Sequence, residues 1–305
     1  MMRHAPMFNS ILCPIDFSEP STRALDYAIA LADRERGHVT LVYVAHPLLV
    51  EAAATAYGAR FVQDDAEREL RIVASAALAK VRGGAPQPDI VVSVGDPASE
   101  ILKCASERRA DCIVMGTQGL SGYKKMFFGS VTEHVLRQSR VPVLAVPPGE
   151  PVAGADFAQR IGRVMAPVDF SDRSIDDVRA ALELAQGFSL PLLVLHVVSG
   201  ISGPAQWREA LAAHEQILLA RARTQMDTFV APLGTGLQLE TLVTTGAPAD
   251  EIAVVAAEHN VGLIVMGLVG VSGALGARPG SVAYRVLCLA TAPVLALPSR
   301  TVASI

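Results

Sequence analysis

Short apolar runs alternate along the chain with stretches whose apolar residues recur at helical spacing. Ile11 to Ile15 has the length of a buried strand and is closed by Asp16. Beyond it, Ala24, Leu25, Ala28, Ile29 and Ala32 fall on one stripe, which predicts a helix entered near Ser18. Val39 to Val44 predicts a second strand, followed by a longer helix with Leu70, Val73, Ala74, Ala77, Leu78 and Val81 on one face. A third strand, Ile90 to Val94, ends at Gly95, and residues 97–109 read as a helix. Cys112 to Met115 reads as a fourth strand, a last helix starts near Ser130, and Val143 to Val146 reads as a fifth strand. The crossovers are too long for hairpins, so the strands should form a parallel sheet with helices on both faces.

The same pattern then repeats. ILCPIDFS at 11–18 returns as VMAPVDFS at 164–171, and LVYVAH at 41–46 as VLHVVS at 194–199. VSVGDPASEI at 92–101 returns as VTTGAPADEI at 243–252, IVMGTQGLSG at 113–122 as IVMGLVGVSG at 264–273, and VPVLAVP at 141–147 as APVLALP at 292–298. The offset falls from 153 to 151, so the second copy is two residues shorter between its second and third strands. Residues 147–162, rich in Pro and Gly, read as a linker. Two domains follow, 1–150 and 158–305, each long enough to bury a core.

Composition narrows the function. Hydrophobic residues make up 51% and charged residues 18%, much of the apolar content being Ala and Val, as helix-covered parallel sheets require. A net charge of −4 offers no general pull toward nucleic acid or an acidic membrane, so neither is expected as a partner and any anion site must be local. No apolar run approaches the roughly 18 residues of a span, and the first residues lack the apolar core and cleavage site of a signal peptide. Cys13, Cys104, Cys112 and Cys288 form no CxxC pair and read as small core hydrophobes in a reducing compartment, which predicts a cytoplasmic protein. His46, His134, His196 and His259 lack ligand spacing and read as surface or packed residues, the DDAEREL stretch at 64–70 as a solvated helix face, and Trp207 as packing.

Candidate chemistry gathers after the fourth strand. Gly116-Thr-Gln-Gly119 is followed, nine residues on, by Gly129-Ser130; Gly267-Leu-Val-Gly270 is followed, again nine residues on, by Gly280-Ser281. Glycine lets a backbone turn tightly and approach a ligand closely. Consecutive N–H groups in such a loop form an anion-binding concavity. The Gly-Ser pairs open the next helix, whose unpaired N–H groups and positive dipole end suit a phosphate. Read blandly, each glycine only ends a strand or starts a helix. Asp16 and Asp169, in the repeated Pro-x-Asp-Phe-Ser, could cap the following turn or face a ligand. No Walker G-x4-G-K-[ST], no G-x-G-x-x-G after the first strand and no HExxH occur, and Ser121 in GLSG is one residue short of a hydrolase elbow.

With these motifs the chain resembles the universal stress protein family over almost all of both halves, and its G-x2-G-x9-G-[ST] loops match the ATP-binding branch. The resemblance implies two tandem open five-stranded parallel sheets in order 3-2-1-4-5, of the adenine nucleotide alpha hydrolase-like kind. It implies ATP, with Mg²⁺, as ligand. Pro14 and Asp16, and Pro167 and Asp169 in the second half, would lie by the nucleoside, and the backbone of Val44 and Val197 would meet the adenine. The loop residues would be Met115, Gly116, Gly119, Gly129, Ser130 and Val131, then Met266, Gly267, Gly270, Gly280, Ser281 and Val282. Two departures stand out: Lys124 and Lys125 face only Arg278 in the second insert, and Gln118 and Val269 occupy a position often His in relatives. The resemblance also implies an intramolecular pseudo-dimer through the fifth strands, Val143 to Val146 and Val294 to Leu297, and leaves room for a further homodimer. The function expected is a nucleotide-dependent binding or signalling module in stress response. A slow ATP hydrolase and a nucleotide-free interaction scaffold are the alternatives, and the residues supply no evident general base or arginine finger for rapid turnover.

Overall fold

The computed structural model describes residues 8–81, 86–117, 129–149, 161–200, 203–233, 238–268 and 281–298. The chain divides into two compact units between Phe157 and Ala158.

In the first unit, strands β1 (Ser10–Pro14), β2 (His38–Ala45), β3 (Asp89–Val94), β4 (Cys112–Gly116) and β5 (Val143–Val146) are joined by helices α1 (Glu19–Glu35), α2 (Pro47–Tyr57), α3 (Phe61–Leu78), α4 (Pro97–Glu107) and α5 (Ser130–Gln138). All pairings are parallel and give the order β3-β2-β1-β4-β5. Every residue of β4 and β5 is buried, as expected of strands covered on both faces. Helix α1 starts where Ser18 accepts the backbone N–H of Ser21, and stops at Arg36, which adopts a left-handed conformation. Its predicted stripe of Ala24, Leu25, Ala28, Ile29 and Ala32 is wholly buried. Helix α4 is capped by Asp96 and opened by Pro97, and closes at Glu107, two residues short of the expected end.

One helix escapes the apolar-periodicity argument. Between β2 and α3 the chain forms α2, started by Pro47 and capped by His46, whose Nδ1 accepts the Leu48 N–H at 3.2 Å. It is mostly apolar, Glu51 and Thr55 excepted, and none of its residues is buried, so no clear stripe marks it in the sequence.

The second unit comprises β6 (Val164–Pro167), α6 (Asp172–Phe188), β7 (Leu192–Ser199), α7 (Arg208–Val230), β8 (Leu239–Gly246), α8 (Pro248–Glu258), β9 (Leu263–Gly267), α9 (Ser281–Leu289) and β10 (Val294–Leu297). Its parallel order, β8-β7-β6-β9-β10, reproduces the first sheet strand for strand. Here a single-turn 3₁₀ segment at Ala205–Trp207 precedes the 23-residue α7, in place of the α2–α3 pair. Trp207 is 56% exposed, which corrects its reading as a packing residue: the turn lies outside the core, and only Ala222 and Met226 of α7 are buried.

Cys13 on β1 and Cys112 on β4 are completely buried, and desolvation pushes both thiols far up from the ordinary range. Because alkylation needs an accessible thiolate, iodoacetamide should modify neither residue in the native protein at pH 8 and both in denaturant. Peptide mass spectrometry checks this, and native labelling of Cys112 would contradict it.

Candidate functional site

The crevice of each unit follows from strand divergence. β1 pairs with β2 over five residues and β4 with β5 over four, yet β1 and β4 share only Ile11↔Cys112 and Leu12↔Ile113. Beyond these pairs the two central strands part, and their carboxyl ends, Pro14 and Gly116, bound an opening at the reversal of strand order. β6 and β9 part in the same way after Met165↔Ile264.

The loop after β1 is built around its aspartate. Asp16 Oδ1 accepts the Ser18 N–H at 3.0 Å and the Ser18 hydroxyl at 2.5 Å, while the Asp16 N–H points to Ser21 Oγ at 3.4 Å. Asp169 Oδ1 accepts the Ser171 N–H at 3.1 Å and the hydroxyls of Ser171 and Ser174 at 2.6 and 2.5 Å. In both copies, then, the carboxylate has the capping task, and it forces the next residue into left-handed backbone: Phe17 has φ 62° and Phe170 φ 58°. Such a conformation is costly for a bulky residue and persists only where its surroundings over-determine it.

That turn aims an aromatic ring at the second strand. Phe17 meets Tyr43 with ring centroids 5.1 Å apart, and Phe170 stacks on His196 at 4.1 Å. His196 Nδ1 stands 2.8 Å from the Val168 carbonyl oxygen, which holds its ring against the loop. Burial, and then the negative charge of Asp16, push the Tyr43 phenol up from its ordinary value. A cavity of about 490 Å³ opens beside Phe17 and Tyr43 and runs between α2 and α3, reaching Tyr57 and Phe61. None of the sequence-predicted binding residues lines it; Asp16 is its neighbour through Phe17. The signal that could have found the ring pair is its recurrence: an aromatic follows the repeated aspartate, and Tyr43 and His196 hold matching strand positions.

The second strand also presents backbone. β1 ends opposite Val42, whose carbonyl accepts the Ile15 N–H at 2.9 Å. Successive residues of a strand alternate their hydrogen-bonding edges. Val44, two residues on, therefore turns the same edge past the end of β1 and over the crevice. Leu195 accepts the Val168 N–H at 2.8 Å, and Val197 stands two residues beyond it in the same way. Pro14 and Pro167, the last residues of β1 and β6, are half-buried beneath these edges.

Across the opening, Met115 and Met266 are buried in β4 and β9, the latter at 7% exposure. A β-carbon on Gly116 would lie 2.9 Å from the carbonyl carbon, oxygen and Cβ of Pro20, so this glycine makes room for the start of α1. Its carbonyl accepts the Thr132 hydroxyl at 2.9 Å, which ties the end of β4 to the first turn of α5. Gly129 is the N-cap of α5 and supplies no side-chain cap, whereas α1 and α4 are capped by Ser18 and Asp96. The first N–H groups of α5 belong to exposed Ser130 and half-buried Val131, and Gly129 offers them no side-chain acceptor.

The second copy departs at this point. Gly267 donates its N–H to Asp177 Oδ2 at 2.9 Å, and a β-carbon there would lie 2.6 Å from the same oxygen. Burial, with the charges of Asp169 and Asp176, pushes the Asp177 carboxyl up to about 6 against the pull of the Gly267 N–H. Its folded value exceeds the unfolded one near 3.8, so its contribution to stability falls as pH rises through that window to about 6. Sequence reasoning passed over Asp177 because its matching residue in the first copy is Ala24. Val282 is half-buried in the first turn of α9, and Ser281 is its first residue. Gly119, Gly270 and Gly280 lie outside the described residues, as do Gln118, Lys124, Lys125, Val269 and Arg278.

Comparison with known proteins decides the family. The sequence model of the universal stress protein family matches residues 7–147 and again 160–298. The chain belongs to the universal stress protein family. It carries two copies of the family domain, and single-domain relatives match about half of it. Universal stress protein YxiE of Bacillus subtilis is 33% identical over 148 residues, covering 46% of this chain and 99% of its own. Universal stress protein MJ0577 of Methanocaldococcus jannaschii is 30% identical over 155 residues, covering 46% of this chain and 95% of its own. The crystal structure of a universal stress protein from Archaeoglobus fulgidus covers 95% of this chain and 98% of its own, at 23% identity and a TM-score of 0.66, a likeness of fold. Among the described residues no helix is long and apolar enough to cross a membrane.

Proposed function

We propose that this tandem universal stress protein binds an adenine nucleotide, ATP with Mg²⁺, in its first crevice and acts as a nucleotide-dependent binding or signalling module. The observation that carries this reading is the pairing of two features across one opening. On one side the Val44 backbone edge passes beyond β1, and on the other α5 begins at Gly129 without a side-chain cap. The first suits the hydrogen-bonding edge of a purine, the second a phosphate. The cavity beside Phe17 and Tyr43 falls within the 300–1,000 Å³ range typical of ligand pockets. The phosphates would hold most of the Mg²⁺ shell, with Asp16 reaching it through water. Because Asp16 Oδ1 is engaged by Ser18, and no other described carboxylate belongs to this loop, the reading is binding rather than turnover.

Gly129→Asp tests the reading. Gly129 has φ −59°, which any residue tolerates, and aspartate is a favoured N-cap. The variant should keep or gain stability, by about 0.3 kcal/mol, while its carboxylate occupies the phosphate position. Isothermal titration with Mg-ATP should show affinity at the first copy falling by at least about tenfold. Undiminished affinity in the folded variant would refute the assignment.

A further inference from the structure

The two copies match strand for strand, yet the floors of their crevices differ in charge. Where α1 carries the fully buried Ala24, α6 carries Asp177, and its carboxylate holds the Gly267 N–H at the end of β9. Asp169 stands close enough across the β6 end for its charge to act on Asp177. The second copy therefore carries a carboxylate at the end of β9 where the first copy has the apolar Ala24. The tie that fixes the first crevice, from the Thr132 hydroxyl to the Gly116 carbonyl, is also missing from the second copy, where Ala283 stands in place of Thr132.

On the reading that these crevices hold adenine nucleotides, we infer that Asp177 is a selectivity residue which turns the second crevice away from polyphosphate and toward an uncharged nucleoside, so that the two copies hold different ligands. The physical reason is charge balance in a partly desolvated opening. A triphosphate entering there brings several negative charges toward a carboxylate that cannot swing away without giving up the Gly267 N–H. A nucleoside brings none. It keeps the interactions that both copies offer: the Val197 backbone edge beyond β6 and the stacked Phe170–His196 rings. Selectivity of this kind rests on a repulsive element aimed at the rejected ligand, with no need for a new attractive one.

The full-length chain carrying Gly129→Asp, which closes the first copy to phosphate, provides the background for the test. Titrated with adenosine and separately with Mg-ATP, this chain should take adenosine, which both crevices can hold, and bind ATP more weakly, since only the second crevice remains open to phosphate. Asp177→Ala restores the residue of the first copy, and Asp177→Asn removes the charge while keeping an acceptor for the Gly267 N–H. Each should raise ATP affinity by at least about tenfold and leave adenosine affinity within about threefold. An equal gain for both ligands marks loosened packing and overturns the proposal, as does a gain with alanine but none with asparagine. Failure of adenosine to bind the Gly129→Asp chain also overturns it, while ATP binding by the unsubstituted chain would leave the first-copy reading standing. If the unsubstituted chain binds neither probe, both readings fall together.

Discussion

Lys80→Ala should cost the protein about 3 kcal/mol of stability, far more than removal of an ordinary surface lysine. Asp26 lies within α1 with its side chain 4% exposed, and Lys80 Nζ reaches both of its carboxylate oxygens at 2.7 Å. The lysine is 37% exposed and the aspartate is not, so the pair is anchored by its buried member. Deleting the lysine takes from a core carboxylate the charge partner that offsets much of its desolvation cost. Asp26→Ala removes the buried charge instead and should cost less, because the stranded group is a lysine with access to water. Chemical denaturation of the two variants orders them directly. A Lys80→Ala loss below about 1 kcal/mol, the range of exposed pairs, would show that the contact contributes as a surface ion pair only.

Gly116→Val should destabilise the first unit by about 3 kcal/mol, and Gly267→Val the second by only about 1 kcal/mol. Both are the first glycine of the same motif. At Gly116 the added Cβ meets the backbone of Pro20 at 2.9 Å, and relief requires α1 to move from β4. At Gly267 it meets the end of the Asp177 side chain, which rotates at the cost of one hydrogen bond. Denaturant midpoints at constant m-value would measure both. Equal losses would contradict the assignment of Gly116 to helix packing. A valine here also disturbs the crevice by moving its wall, so loss of nucleotide binding in Gly116→Val reports on folding as well as on contact with phosphate. Gly129→Asp is the cleaner probe for that reason.

Much of the protein was legible from residue order alone. The duplication, the five strands of each copy and their parallel arrangement follow from apolar runs of strand length separated by helical stripes. The Asp-Phe-Ser turn is a local device, set by side chains reaching backbone groups a few residues away, so it too can be read without a fold, and the α5 start is marked in the sequence by Gly129 alone, with no capping side chain. Helix α2 could not be read this way: a mostly apolar segment that buries none of its residues has no clear period to betray it, and His46 and Pro47 determine where it begins. Long-range placement was decided only in three dimensions. Whether Gly116 clears space for a ligand or for a helix depends on Pro20, nearly a hundred residues away in sequence, and the structure gives that space to the helix. Asp177 looks in the sequence like one more charge on an amphipathic helix. Its meaning comes from the packing of α6 against β9, which brings its carboxylate to the Gly267 N–H across 90 residues and beneath the crevice of the second copy. Periodicity records which face of an element is buried, but the partner that each buried group meets is fixed by the tertiary structure, and at this site the partner sets the electrostatics.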